Sequence, residues 1–173
     1  VAETAAQYKI LCLRATQPVY RPGETVRVIG TIQPWKGEPE TFAMDLALPA
    51  SLENGAYDLS LYDGTGREML ERLRAPGLLQ PASFEQLVEQ LRRSYPGDRS
   101  YLTLEKREPG LTVRGAEFPD LPPSVHSALS ETTTEFTQPT RMAILAETSR
   151  AWDRQVFGTA RTTIQVDRQG RRR

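Results

Sequence analysis

The chain has 173 residues, 38% of them apolar and 25% charged, with 22 Lys+Arg balancing 22 Asp+Glu. That length and composition fit one folded domain, or two small ones in one chain, and exclude a disordered polymer. The zero net charge argues against an electrostatic nucleic-acid binder, and a lone Cys12 and lone His126 remove most metal and nucleophile chemistry.

No apolar run approaches the ~20 residues that a membrane-spanning helix requires. Position 1 is Val, and no basic-then-apolar leader precedes the first strand-like segment. The N-terminus therefore reads as cut from a longer chain.

Residues 1–75 read as β structure. Tyr8 to Leu13 is a short apolar run, broken by Gln17-Pro18. Thr25 to Ile32 places Val26, Val28 and Ile32 on one face, and Phe42, Met44, Leu46 and Leu48 alternate with Ala43, Asp45 and Ala47. Tyr57, Leu59 and Leu61 alternate with Asp58, Ser60 and Tyr62, the period-2 pattern of half-buried strands. Arg21-Pro22-Gly23-Glu24, Pro34 to Pro39, Glu53-Asn54-Gly55 and Asp63-Gly64-Thr65-Gly66 have the chemistry of turns between them. Strands at this spacing predict an antiparallel β-sandwich.

The period then changes. Ser83 with Gln86 forms a capping box, and Phe84, Leu87, Val88 and Leu91 fall on one helical face. The spacing predicts one amphipathic helix over about 83–94, stopped by Pro96-Gly97 and packed on a core. Tyr101 to Lys106 and Leu111 to Arg114 read as a hairpin, and Asp120 to Ser130 as a short helix with Pro123 in its first turn. Glu131 to Pro139 reads as a polar loop, Met142 to Glu147 and Val156 to Val166 as the last strands, and the arginine-rich end as a solvated tail. The predicted fold is mainly β: a sandwich over 1–75 followed by a small α+β part over 76–173, which either stands alone or completes the same core.

Catalytic signals are absent. His126 lies beside Ser124 and Ser127, but no serine elbow accompanies it. Cys12 sits among Ile10, Leu11 and Leu13, where a thiol behaves as a small hydrophobe. Gly64-Thr65-Gly66 is too short to cradle phosphate, and Asp63 reads as a turn cap and not as a cation ligand. No catalytic residue, metal or cofactor is expected. Binding surface remains: Trp35 in a Pro/Gly loop and Trp152 among arginines each either fold back on the sandwich or recognise a partner.

The segment Pro18-Val19-Tyr20-Arg21-Pro22-Gly23-Glu24-Thr25-Val26 resembles the opening of macroglobulin-type, immunoglobulin-like domains. In that opening, Tyr20 closes the core and Pro22-Gly23 turns the chain. Leu48-Pro49 and Gly55-Ala56-Tyr57-Asp58-Leu59 are a looser echo of the same domains.

Over about residues 15–130, the order of these motifs is similar to the C-terminal, non-catalytic region of secreted bacterial proteins. Those proteins carry a sporulation-protease-like serine peptidase domain upstream. The motifs are Gln33-Pro34-Trp35-Lys36-Gly37-Glu38-Pro39, Leu46-Ala47-Leu48-Pro49, Ser83 to Leu91 and Leu121-Pro122-Pro123-Ser124-Val125.

The resemblance implies an accessory module of a larger secreted or periplasmic chain, without membrane insertion. It would bind a neighbouring domain of the same polypeptide or an envelope protein. The residues themselves, not the resemblance, offer Arg21, Trp35 and Trp152 as the contacts. Two other readings stand beside it: a hydrolase using His126 with a nearby serine, and self-association as a homo-oligomer through an edge strand such as 156–166.

Overall fold

The computed structural model describes residues 7–74, 83–85, 88, 95–107, 110–113, 116–118, 137–140 and 142–169. In chain order the elements are β1 (Tyr8–Ala15), β2 (Val19–Tyr20), β3 (Thr25–Pro34), β4 (Glu40–Ala47), β5 (Gly55–Tyr62), α1 (Gly64–Arg74) and β6 (Arg99–Lys106). They continue with β7 (Gly110–Val113), β8 (Ala116–Phe118), β9 (Thr137–Thr140), β10 (Ala143–Ala151), β11 (Val156–Phe157) and β12 (Thr159–Val166). Two compact units divide the chain: Val1–Arg67 with Pro96–Glu105 and Ile144–Arg173, and Glu68–Tyr95 with Lys106–Ala143.

The first unit is built from two sheets. One has the strand order β11-β1-β3-β4, the other β10-β6-β5-β12-β2. The alternating residues read from the sequence meet between them, joined by Leu102 and Leu104 of β6. Val26, Val28, Ile32, Phe42, Met44 and Leu46 come from the first sheet, and Tyr57, Leu59, Leu61, Leu102, Leu104, Ile164 and Val166 from the second. Strands from beyond residue 76 thus share the core of the first strands.

Tyr20 closes this core, buried, with its hydroxyl accepting from the Gln17 N–H at 3.0 Å. The Pro22-Gly23 turn forms as expected: Glu24 N–H donates to Arg21 O at 3.1 Å and Gly23 takes φ +80, which suits glycine.

Several local readings are corrected. In β1, Ile10 pairs with Ile32 and Cys12 with Thr31, leaving Leu11 as a bulge. The extra residue shifts the alternation, so Leu13 is buried while Cys12 faces outward, its thiol on the Thr31 hydroxyl at 3.3 Å. Cys12 is therefore an exposed thiol and not a core hydrophobe.

Asp63 opens a helix, not a turn between strands. Its carbonyl accepts from Arg67 N–H at 2.9 Å and its carboxylate from Gly66 N–H at 2.5 Å, the geometry of an N-cap. The following Arg-Glu-Met-Leu-Glu-Arg-Leu-Arg run consists of strong helix formers.

The 156–166 segment is two strands, because Gly158 at φ +103 redirects the chain from one sheet to the other. β12 lies between β5 along its length and β2 at Gln165 and Val166. β6 and β7 do not pair as a hairpin; β6 joins β5 and β10, and β7 joins β8 and β9.

The second unit contains the three-stranded sheet β8-β7-β9 and the later turns of α1. There Arg72 pairs with Glu68 at 2.5 Å and Arg74 with Glu71 at 2.7 Å. Of the helix expected over 83–94, Phe84, Glu85 and Val88 are helical, and the other positions lie outside the described residues. The Glu85 backbone N–H, and after it the Ser83 hydroxyl, hold the Glu85 carboxyl below its ordinary range, as at a helix N-terminus. Phe84 is exposed in spite of its place on the apolar face. The short helix expected at 120–130, with His126, lies outside the described residues, as does the tail beyond Gln169.

Burial raises the phenols of Tyr57, Tyr62 and Tyr101 above their ordinary value. Above about pH 10 the unfolded chain releases these protons while the native state keeps them. The unfolded state then binds fewer protons, so unfolding free energy is expected to fall as pH rises through that range. Denaturant melts at stepped alkaline pH, read beside phenolate absorbance, check this: the three phenols are expected to ionise with the unfolding transition and not before it.

Candidate functional site

Pro34 ends β3, and the chain reverses through Trp35-Lys36-Gly37 into β4. Gly37 N–H donates to Pro34 O at 3.0 Å, Trp35 N–H to Gln7 O at 2.9 Å, and the Gln33 side-chain amide to Gly37 O at 3.2 Å. Lys36 occupies the left-handed region at φ +60, where Gly or Asn is usual. A non-glycine residue there costs on the order of 1–2 kcal/mol, which the surrounding bonds must hold. They fix a turn whose Trp35 side chain is 59% exposed, against the usual tendency of a large aromatic to bury its surface.

Tyr8 begins β1 opposite Pro34 and faces Trp152, with ring centroids 5.6 Å apart. Phe42 meets the same indole edge-on at 4.9 Å, its ring lying over Gly30, where any Cβ would clash with it. The Trp152 indole N–H donates to the Ser100 hydroxyl at 2.9 Å, and its backbone N–H to Asp98 O at 2.8 Å.

Arg150 stacks on this group, its guanidinium carbon 4.5 Å from the Trp152 ring centre and 5.4 Å from that of Phe42. Its Nη1 donates to Ala43 O at 3.2 Å. Burial and a hydrogen bond to the Asp153 carboxylate hold the Tyr8 phenol above its ordinary range. This cluster anchors the partly buried Trp152 through Tyr8, Phe42, Ser100 and Arg150.

A second cluster lies on the face of the β10-β6-β5-β12-β2 sheet turned away from the sandwich core. Cross-strand register puts Ser60 between Thr103 and Arg161, and Asp58 between Glu105 and Thr163. Arg161 Nε donates to the Ser60 hydroxyl at 3.0 Å and Nη2 to the Tyr62 hydroxyl at 3.3 Å. The same guanidinium stands 3.6 Å from the Glu105 carboxylate and 4.0 Å from that of Asp58.

Glu105 is 1% exposed and accepts from the Thr103 hydroxyl at 2.6 Å. The Tyr62 hydroxyl, followed by burial and the neighbouring carboxylates, determines the raised pKa of Arg161, burial opposing it. Arg161 therefore serves as the permanent counter-charge of two acids that face each other across two strands. Among the described residues no group of three or more His, Cys, Asp and Glu side chains is placed to hold a metal ion.

The residues singled out from the sequence lie apart. Arg21 is exposed just before β3 and Trp35 just after it, roughly 30 Å of strand away. Trp35 and Trp152 are both near the Tyr8 end of β1, but Trp152 is occupied by internal contacts. Sequence reasoning missed the Ser60, Tyr62, Thr103, Glu105 and Arg161 cluster. The visible signal was the run of polar or amphipathic residues opposite each buried leucine, which reads equally well as a solvated face. No helix among the described residues is long and apolar enough to cross a membrane. Comparison of the chain with protein-family models, with curated proteins and with solved structures finds no match.

Proposed function

We propose that this chain is a non-catalytic protein-interaction module whose contact residue is Trp35. The observation that carries the reading is a tryptophan 59% exposed on a turn held in one conformation by main-chain and side-chain hydrogen bonds. A rigid aromatic loses little entropy on binding and desolvates a large area, which is why tryptophan dominates binding hot spots.

The setting is an accessory module of a larger exported bacterial chain, with a neighbouring domain or an envelope protein as partner. The immunoglobulin-like reading of the sandwich is supported by the crossing from β1 in one sheet to β2 in the other. There Val19 and Tyr20 pair in parallel with Gln165 and Val166 of the last strand.

The test places a photoreactive phenylalanine analogue at position 35 of the native protein in its own cells and identifies the cross-linked partner. The purified partner is expected to bind Trp35→Ala at least about 30-fold more weakly, the effect of a hot spot worth 2 kcal/mol or more. The variant's melting temperature should not change. Undiminished binding by Trp35→Ala would remove this reading.

A further inference from the structure

We infer that the outer edge of β4 pairs with the same strand of a second copy of this chain, with Arg150 as its guard. This rests on the strand and its flanking prolines, independently of the role proposed for Trp35.

β4 ends the β11-β1-β3-β4 sheet, and among the described residues no strand lies on its other side. Leu48 N–H donates to Glu24 O, which fixes the direction of every main-chain group in the strand. Residues 40, 42, 44 and 46 share that parity and turn toward β3. Thr41, Ala43, Asp45 and Ala47 turn their N–H and C=O outward. The Arg150 contact confirms the direction, because it approaches Ala43 O from outside the sheet.

The four outward residues are exposed. The strand has no lysine, no proline and no bulge in its register with β3, three of the usual protections of an edge. Its charge is also muted: Asp45 is held by Arg27 through bonds of 2.8 and 2.9 Å across the sheet surface.

A second copy fits because the edge is symmetric in the property that matters. Pro39 and Pro49 occupy the next outward positions on either side and have no N–H to offer, and they lie at equal distance from Met44. An antiparallel two-fold centred on Met44 pairs Thr41 with Ala47 and Ala43 with Asp45 of the other copy. It uses every outward group between the prolines and opposes no like charges. Centring on Ala43 would set Pro39 against Ala47, and centring on Asp45 would oppose two aspartates.

Among the described residues, the one outward carbonyl already taken is that of Ala43, on which Arg150 sits. Release of that guanidinium, which keeps its stacking on Trp152 and Phe42, opens the full edge.

Sedimentation equilibrium over a wide concentration range tests this on the chain and on Arg150→Ala. A monomer–dimer equilibrium is expected, at least tenfold tighter in Arg150→Ala. Ala43→Pro removes an outward N–H that β3 does not use and is expected to weaken association at least tenfold. Thr41→Lys/Ala47→Lys, at exposed positions, sets like charges opposite each other twice in the Met44 register and should do the same, with an unchanged circular dichroism spectrum. Monomers at every concentration for both the chain and Arg150→Ala would overturn the inference. So would a dimer that survives both edge variants.

Discussion

Arg161→Met is expected to lower the free energy of unfolding by about 2 kcal/mol at neutral pH, less than the loss of a fully buried partner because the guanidinium is itself 42% exposed. Glu105 is the reason for the loss. At 1% exposure it has little water to fall back on, and its Oε1 accepts from the Thr103 hydroxyl at 2.6 Å. The methionine fills much of the arginine's volume but leaves the carboxylates of Glu105 and Asp58 facing each other without a counter-charge.

Glu105→Gln in the same background removes that repulsion while keeping the shape. The double variant is therefore expected to regain at least half of the loss, a coupling above about 1 kcal/mol. Urea melts of the four proteins in the cycle decide it. Equal losses from Arg161→Met with and without Glu105→Gln would show that the guanidinium contributes packing alone.

Asp63→Ala should cost about 3 kcal/mol, from the loss of a helix cap and of a charge-assisted bond. One carboxylate oxygen caps Gly66 N–H at 2.5 Å and the other accepts from Gly158 N–H at 2.6 Å, from a residue 95 positions away. The Asp63 N–H completes the tie by donating to Gly158 O at 3.2 Å. This one side chain thus joins the start of α1 to the corner where the chain passes from β11 to β12.

Asp63→Asn keeps one acceptor but turns an amide N–H₂ toward one of the two donors, so an intermediate loss is expected. Denaturation followed by circular dichroism separates the three proteins. A loss below about 1 kcal/mol in Asp63→Ala would mean that water replaces the carboxylate at both donors.

The strands of the first unit were legible because each has a local cause. Val26, Val28, Met44, Leu46, Leu59 and Leu61 alternate with mostly polar or small neighbours, and all are buried. The Pro22-Gly23 turn is equally local, since its residues supply the two required φ values themselves. β1 was harder, because one inserted residue at Leu11 reverses the parity that places Cys12. The helix after Asp63 was hidden by Gly64 and Gly66, which look like a turn until the carboxylate is seen to cap them.

Of the candidate contact residues, Trp35 could be placed in a loop but its exposure could not be read from sequence. Trp152 reads the same way beside its arginines, yet Ser100, Tyr8 and Phe42 anchor it from distant strands.

By itself, then, the sequence determined that this is a mainly β chain, where most of its strands run and which of their faces is apolar. Side-chain alternation and turn preference are properties of neighbouring residues. Tertiary structure alone decided that Ser60, Glu105 and Arg161 meet, that Gly158 moves the last strand between sheets, and that β4 is left at an edge. Those outcomes depend on which distant strands become partners, and that choice is made by the closure of the shared core, where burial of the whole apolar set outweighs any local preference.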